Sequence, residues 1–248
     1  LVLNLVRNGA RVAAVDINEA YLETTAKLSD NRGSISLHVL DITDRKAVAA
    51  LPEQVISAQG SVDGLINNAG IIQPFVKVSE LTWPQIDKVL NVNLNGLLNM
   101  TKVFLPYLLK RPEAHIVNIS SMGGFLPVPG QTIYGASKAA VKLFTEGLRS
   151  ELLDTNVHVT VVFPGAIGTN IAQNSGAMTP EQQAAQDTGK IKMTSPVRAA
   201  QTILDGMESN QYRVLIGSDS KMMDFFYRLN PKGAAMLIYN QMKTLLAN

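Results

Sequence analysis

Short runs of Val, Ile and Leu alternate along this chain with longer stretches whose apolar residues recur at helical spacing. The runs are continuous rather than polar at every second position, the mark of strands covered on both faces, and their alternation with helices is that of repeated strand-helix-strand units. The pattern predicts strands over residues 11–16 (RVAAVD), 34–40, 62–67 (VDGLIN), 115–120 (HIVNIS), 157–163 (VHVTVVF) and 213–217. It predicts helices over 19–28, 46–59, 85–109 and 135–153. The expected fold is α/β, a doubly wound parallel sheet in a single domain, 1–248. Ligands of such sheets bind at the carboxyl ends of the strands, which singles out Asp16, Asp41 and residues 67–70, 120–124 and 164–169.

Three stretches fall outside the alternation. Leu1, Val2, Leu3, Leu5 and Val6 lead to Asn8-Gly9, a glycine-terminated helix ending with no start before it. Residues 172–194, poor in strand formers and rich in Gln, Thr and Gly, read as a lid-like insertion. Residues 218–248 form a helical extension with two amphipathic stretches, one holding Phe225, Phe226, Tyr227 and Leu229, the other Met236, Leu237, Tyr239, Met242, Leu245 and Leu246. They suit packing on the core or on another subunit, and alternatively the mouth of a lipidic site or a peripheral membrane contact.

Composition narrows the function classes. A chain of 248 residues that is 46% apolar and carries 22 Lys plus Arg against 20 Asp plus Glu has a globular profile, and its net charge of +2 is too small to make nucleic acid its main partner. No apolar run approaches the roughly 18 residues of a membrane span. Without cysteine there are no disulfides or thiolate metal sites, which fits the cytoplasm. No metal is expected, because His38, His115 and His158 have no partner at ligand spacing. Trp83-Pro84 reads as a helix start with a packing aromatic.

Tyr134 and Lys138 stand four apart at the start of a predicted helix, so they share a face. Only about one free tyrosine in a thousand is ionised at neutral pH, and a nearby ammonium supplies part of the roughly 4 kcal/mol needed to change that. Ser121 follows the fourth strand, Asn67-Asn68-Ala69-Gly70 ends the third, Asn93 lies within the long helix, and Pro164-Gly165-Ala166-Ile167-Gly168-Thr169 follows the fifth. Asp16 closes the first strand where a carboxylate can accept from ribose hydroxyls and repel a 2′-phosphate; Ile17 and Asn18 offer no cation, so NAD is favoured over NADP. The plainer role for Asp16 is a helix cap.

In the order and spacing of NNAG, the helical Asn, Ser, YxxxK and PGxIxT, the sequence resembles the short-chain dehydrogenase/reductase family from residue 1 to about 217. The resemblance implies an oxidoreductase on a Rossmann-like fold that interconverts a secondary alcohol and a ketone, with Tyr134 as general acid/base and Ser121 hydrogen-bonding the reacting oxygen. Lys138 would lower the Tyr134 pKa and hold the nicotinamide ribose, and Asn93 would position a water. Asp41-Ile42 would lie beside the adenine, unless Asp41 is only a cap, while Asn68, Ala69, Gly70, Pro164, Gly165, Ile167 and Thr169 would complete the cofactor site. A homodimer or homotetramer through the Asn93 and Tyr134 helices is also implied. Phe125, Leu126 and Val128 would give the pocket an apolar wall and the enzyme a small hydrophobic alcohol or ketone as substrate. The alternative is a catalytically silent dinucleotide sensor or scaffold on the same fold.

One departure concerns the family's opening strand and TGxxxGxG loop, which this sequence lacks. Counting back from Gly9-Ala10-Arg11-Val12, Leu1 falls just after the last of those glycines. Removing that central strand leaves a gap of about 10 Å between the strands ending at Asp16 and Asn67, unless the halves slide together. The expectation is a natural chain that extends upstream of Leu1, so no targeting segment is read either way.

Overall fold

The computed structural model describes residues 1–177 and 193–243. A short helix α1 (Val2–Arg7) precedes β1 (Val12–Asp16), α2 (Glu19–Lys27), β2 (Ile35–Val39), α3 (Arg45–Gln59) and β3 (Gly64–Asn67). Then come α4 (Trp83–Leu90), α5 (Leu97–Leu108), β4 (Ala114–Ile119), α6 (Thr132–Glu151), β5 (Val157–Pro164) and α7 (Ile171–Asn174). The chain continues with α8 (Pro196–Glu208), β6 (Arg213–Ile216), α9 (Ser218–Leu229) and α10 (Pro231–Met242). Each strand pair is parallel, as the Val/Ile-rich runs imply.

Among the described residues the strands form two sheets, β1-β2 and β3-β4-β5-β6, with no ladder joining β1 to β3. The halves have not slid together, and helices hold them instead. Val48, Leu51 and Val55 of α3 and Phe104 and Leu108 of α5 form one core with Leu65, Ile116 and Val159, and Ala13 and Val15 of β1 pack at its margin. The next residue along β4, Val117, points the other way, into a core of Val162, Ala199, Ile203 and Val214 beneath α8.

A buried polar row crosses the larger sheet. Asn67 Nδ2 donates to Thr101 Oγ1 (3.0 Å) and to Asn118 Oδ1 (2.8 Å), and Asn118 Nδ2 donates to Thr145 Oγ1 (3.0 Å), which ties α5, β3, β4 and α6 into one register. Asn67 thus serves the scaffold.

Several local expectations are corrected. The helix expected over 85–109 is α4 and α5 joined by a π-helical stretch, Asn91–Gly96. Helix α8 was not anticipated; its buried face is built from Ala199, Ala200, Ile203, Leu204 and Gly206, in which only Ile203 and Leu204 are large apolar residues. Trp83 is 77% exposed; the α4 start is secured by Thr82 and Gln85. Pairing of β4 with β5 sets His115 opposite His158, and Glu113 Oε1 lies 3.8 and 3.5 Å from their Nε2 atoms, so the two histidines do have a carboxylate neighbour. Asn118→Ala should lower the unfolding free energy in urea by about 2 kcal/mol, since a buried donor or acceptor left unmade costs about 1–3 kcal/mol.

Candidate active site

Ser137, Lys138, Val141, Thr145 and Leu148 line the buried face of α6, so an ammonium takes a place on an otherwise apolar and hydroxyl-bearing stripe. Lys138 is 4% exposed; its Nζ donates to Ile119 O at 2.9 Å, and its own carbonyl accepts from Ser120 Oγ at 2.7 Å. Two hydrogen bonds therefore fasten the first turns of α6 to the end of β4. The helix start is capped from a distance. Gln131, at the cap position, offers no side-chain bond to the helix, whereas Gln73 Oε1, buried in the loop after β3, accepts from Ile133 N (2.8 Å) and Tyr134 N (3.1 Å). Gln131 Nε2 returns a bond to Gln73 O at 2.8 Å. Sequence reasoning missed Gln73 because a cap contributed from 60 residues away leaves no local pattern.

Ser121 follows β4, and its Oγ accepts from Gly123 N at 3.0 Å, which holds the turn Met122–Gly124. A Cβ on Gly123 would lie 3.4 Å from Tyr134 Cε1 and 3.5 Å from Ser121 Oγ, so the serine and the tyrosine converge over this bare Cα. Gly124 lets the turn approach α6: a Cβ there would meet Lys138 O at 2.8 Å.

Burial pushes the half-buried Tyr134 phenol above its ordinary value, and its hydrogen bond with Ser121 pulls the other way. Burial also lowers the Lys138 ammonium to about 8. The lowering of Tyr134 expected from Lys138 is thus not what governs the phenol. The lysine spends a proton on Ile119 O, and its Nζ sits 6.0 Å from the centre of the Tyr134 ring.

Asn93 lies in the π-helical stretch, a distortion often found at functional sites. Its Oδ1 accepts from Ile71 N (2.8 Å), and its Nδ2 donates to Ile71 O (2.9 Å) and Ser137 Oγ (3.0 Å). The side chain is a clamp between the β3 exit and α6. A Cβ on Gly70 would be 3.1 Å from Lys138 Nζ and 3.5 Å from Asn93 Oδ1, so Gly70, Asn93 and Lys138 also converge.

The remaining candidates border the same sheet ends. Asp16 is exposed at the end of β1 and accepts from Asn18 N at 2.8 Å through Oδ1; Asn18 caps α2, so Asp16 is not the cap. Asp41 likewise accepts from Thr43 N (2.8 Å), while Asp44 caps α3. Ile42 is held by Asn99 Nδ2 on its carbonyl (3.0 Å), and its side chain fits against Gly96 where a Cβ would clash. Asn68 and Ala69 are exposed after β3. Pro164 ends β5, Gly165 lies under the Asp219 carboxylate, Ala166 N donates to Asp219 Oδ2 (2.7 Å), Ile167 bridges to Thr194 and Thr169 is exposed. Asp219, which props this loop from α9, was also missed. The residues that could hold a dinucleotide here are Asp16, with its exposed carboxylate, the exposed Asn68 and Ala69, and Gly70, whose bare Cα leaves room beside Lys138.

The expected pocket wall is only partly right. Leu126 is fully buried in a core with Met223, Ala234 and Ile238, so it faces the C-terminal helices. Phe125 packs edge-on to Phe163, with ring centres 5.6 Å apart, and against Tyr227. Of the lid expected over 172–194, residues 178–192 lie outside those described; Ser175 Oγ accepts from Ile72 N at 3.0 Å, tying its beginning to the β3 exit loop.

Since the folded pKa of Lys138 is below its unfolded value of 10.5, the unfolded chain binds more protons between pH 8 and 10.5, and stability from this group rises with pH across that window. Measured by urea titration against Lys138→Met, the native protein should gain about 3 kcal/mol from pH 7 to pH 10.5, at 1.36 kcal/mol per pKa unit.

Comparison with known proteins agrees with this architecture. The family model for short chain dehydrogenases matches residues 1–180. SadH of Mycobacterium tuberculosis is 37% identical over 235 residues, covering 92% of this chain and 85% of that protein. The 3-oxoacyl-[acyl-carrier-protein] reductase FabG of Thermotoga maritima is 36% identical over 208 residues, covering 82% of each. Among solved structures, a short chain dehydrogenase/reductase from Burkholderia phymatum in complex with NAD superposes with a TM-score of 0.75 at 26% identity, covering 83% of this chain and 79% of that one. With this match and these relatives, the parallel α/β chain belongs to the short-chain dehydrogenase/reductase family of oxidoreductases.

Proposed function

We propose that this protein is an NAD-dependent oxidoreductase that interconverts a secondary alcohol and a ketone, with Ser121, Tyr134, Lys138 and Asn93 as its working residues. The observation that carries the proposal is the convergence of Ser121 Oγ and the Tyr134 ring over Gly123, with the Lys138 ammonium buried behind them. A bound nicotinamide would supply or accept the hydride. Tyr134 gives its phenolic proton to the substrate oxygen during reduction and takes it during oxidation. Ser121 donates to the same oxygen, favouring the charge that grows there. Lys138 keeps positive charge beside the site, and Asn93 fixes the Gly70-Ile71 backbone against α6. The NAD-bound state of the Burkholderia relative supports a nicotinamide dinucleotide, and the name of the Thermotoga relative supports ketone chemistry.

The preference for NAD rests on the exposed Asp16, beside which Ile17 and Asn18 carry no positive charge to receive a 2′-phosphate. The same carboxylate argues against a phosphorylated cofactor and hence against acyl-carrier reduction. Asp41, Ile42, Asn68, Ala69, Gly70, Pro164, Gly165, Ile167 and Thr169 complete the cofactor surface. Phe125 and Val128 argue for an uncharged, hydrophobic substrate. Exposed Leu143 on α6 and Trp83 at the head of α4 favour a homodimer or homotetramer built on these helices, in a cytoplasmic, single-domain protein. The silent-sensor alternative gives no reason for a lysine ammonium buried behind a serine and a tyrosine.

Tyr134→Phe should lower kcat by at least about 100-fold with secondary alcohols and NAD, the scale of positioned proton transfer, while circular dichroism and melting stay unchanged. Turnover within a few fold of the native protein would overturn the assignment, and a native protein inert to every alcohol would favour the silent sensor. Asp16→Ala should narrow the ratio of NAD to NADP affinity by titration calorimetry; an unchanged ratio would remove Asp16 from the selection.

A further inference from the structure

Helices α9 and α10 each carry two apolar faces, where a surface helix needs one. In α9, Ser220 and Met223 are buried with Tyr227 packed beside them, while Met222, Phe225 and Leu229 on the opposite side are 61%, 67% and 69% exposed. In α10, Ala234 and Ile238 are buried, and Met236 and Tyr239 point outward. The charges beside the outward faces have one sign. Lys221, Arg228, Lys232 and Lys243 are exposed, whereas the two carboxylates of this segment turn inward. Asp219 accepts from Ala166 N, and Asp224 is shared by Arg213 (2.9 Å) and Arg228 (3.0 Å). Among the described residues, Lys221, Lys232 and Lys243 have no carboxylate partner.

Exposed Met, Phe, Leu and Tyr beside ammonium groups, with no outward carboxylate, complement a surface that is apolar at depth and anionic at its boundary. We infer that the outward faces of α9 and α10 dock on an anionic lipid bilayer. A second copy of this chain suits them less, because a two-fold interface would set the basic face against itself. Among the described residues no helix is long and apolar enough to cross a membrane, so the contact is peripheral. The inward faces of the same helices pack on Met122, Phe125, Leu126 and Val128, the segment that follows Ser121, so one helical layer would have the bilayer outside and the site's wall inside.

The test is co-sedimentation of the full-length protein with phosphatidylcholine vesicles made with and without phosphatidylserine. Binding is expected with phosphatidylserine, should fall as salt rises, and should weaken about ten-fold or more in Lys221→Glu/Lys232→Glu. Phe225→Ser/Leu229→Ser should weaken it comparably with an unchanged circular dichroism spectrum, since both side chains are exposed. A folded native protein that ignores the anionic vesicles, or an apolar double variant that binds as well as native, would overturn the inference. So would a native dimer, seen by sedimentation velocity, that the apolar double variant splits, because the occupant would then be a second copy. None of these readouts involves turnover, so the result stands apart from the catalytic assignment.

Discussion

A lysine ammonium held under protein is the constraint on which the site depends. The carbonyl of Ile119 is the partner that makes this burial tolerable, and it fixes where α6 lies on the sheet. Because the Lys138 carbonyl is bound in turn by Ser120, the end of β4 and the first turns of α6 cannot shift independently. That fixed relation brings Ser121 and Tyr134 to the same glycine. The cost of desolvating the ammonium, seen in its lowered pKa, is borne by the packing of the surrounding sheet.

The polar groups behind this arrangement divide into two sets. Asn67, Asn118, Thr101 and Thr145 form a buried row that sets strand and helix register. Gln73, Asn93 and Ser137 lock the exit of β3 to the helix carrying Tyr134. The residues proposed to handle the proton are few, and the polar groups that hold them in place are more numerous. The C-terminal helices extend the same logic, since Asp219 of α9 props the loop after β5 while α9 and α10 close the core around Leu126.

What was legible in the sequence was the periodic part. The parallel alternation, the strand ends and the Ser121, Tyr134 and Lys138 set could be read because each rests on short-range spacing or on order along the chain. What could not be read depends on groups that meet only after folding. Gln73 caps a helix from a remote loop, Glu113 reaches two histidines on paired strands, and Leu126 turns into a core made by the last helices. Helix α8 escaped because only Ile203 and Leu204 on its inner face are large apolar residues, the rest being alanine and glycine, and the break between α4 and α5 escaped because a π-helical stretch keeps helical residue types. The phenol's raised pKa was also out of reach, because burial rather than the lysine four residues away is its largest cause.

The central claim is that the half-buried Tyr134 phenol and Ser121 form one hydrogen-bonded pair proposed to handle the proton. It is tested most directly by titrating the Tyr134 Cζ resonance in ¹³C-tyrosine-labelled protein, assigned by its absence in Tyr134→Phe. The account expects an apparent pKa above that of free tyrosine, and a further rise in Ser121→Ala as the hydrogen bond that favours the phenolate is lost. A resonance that titrates as free tyrosine does and does not respond to Ser121→Ala would contradict it.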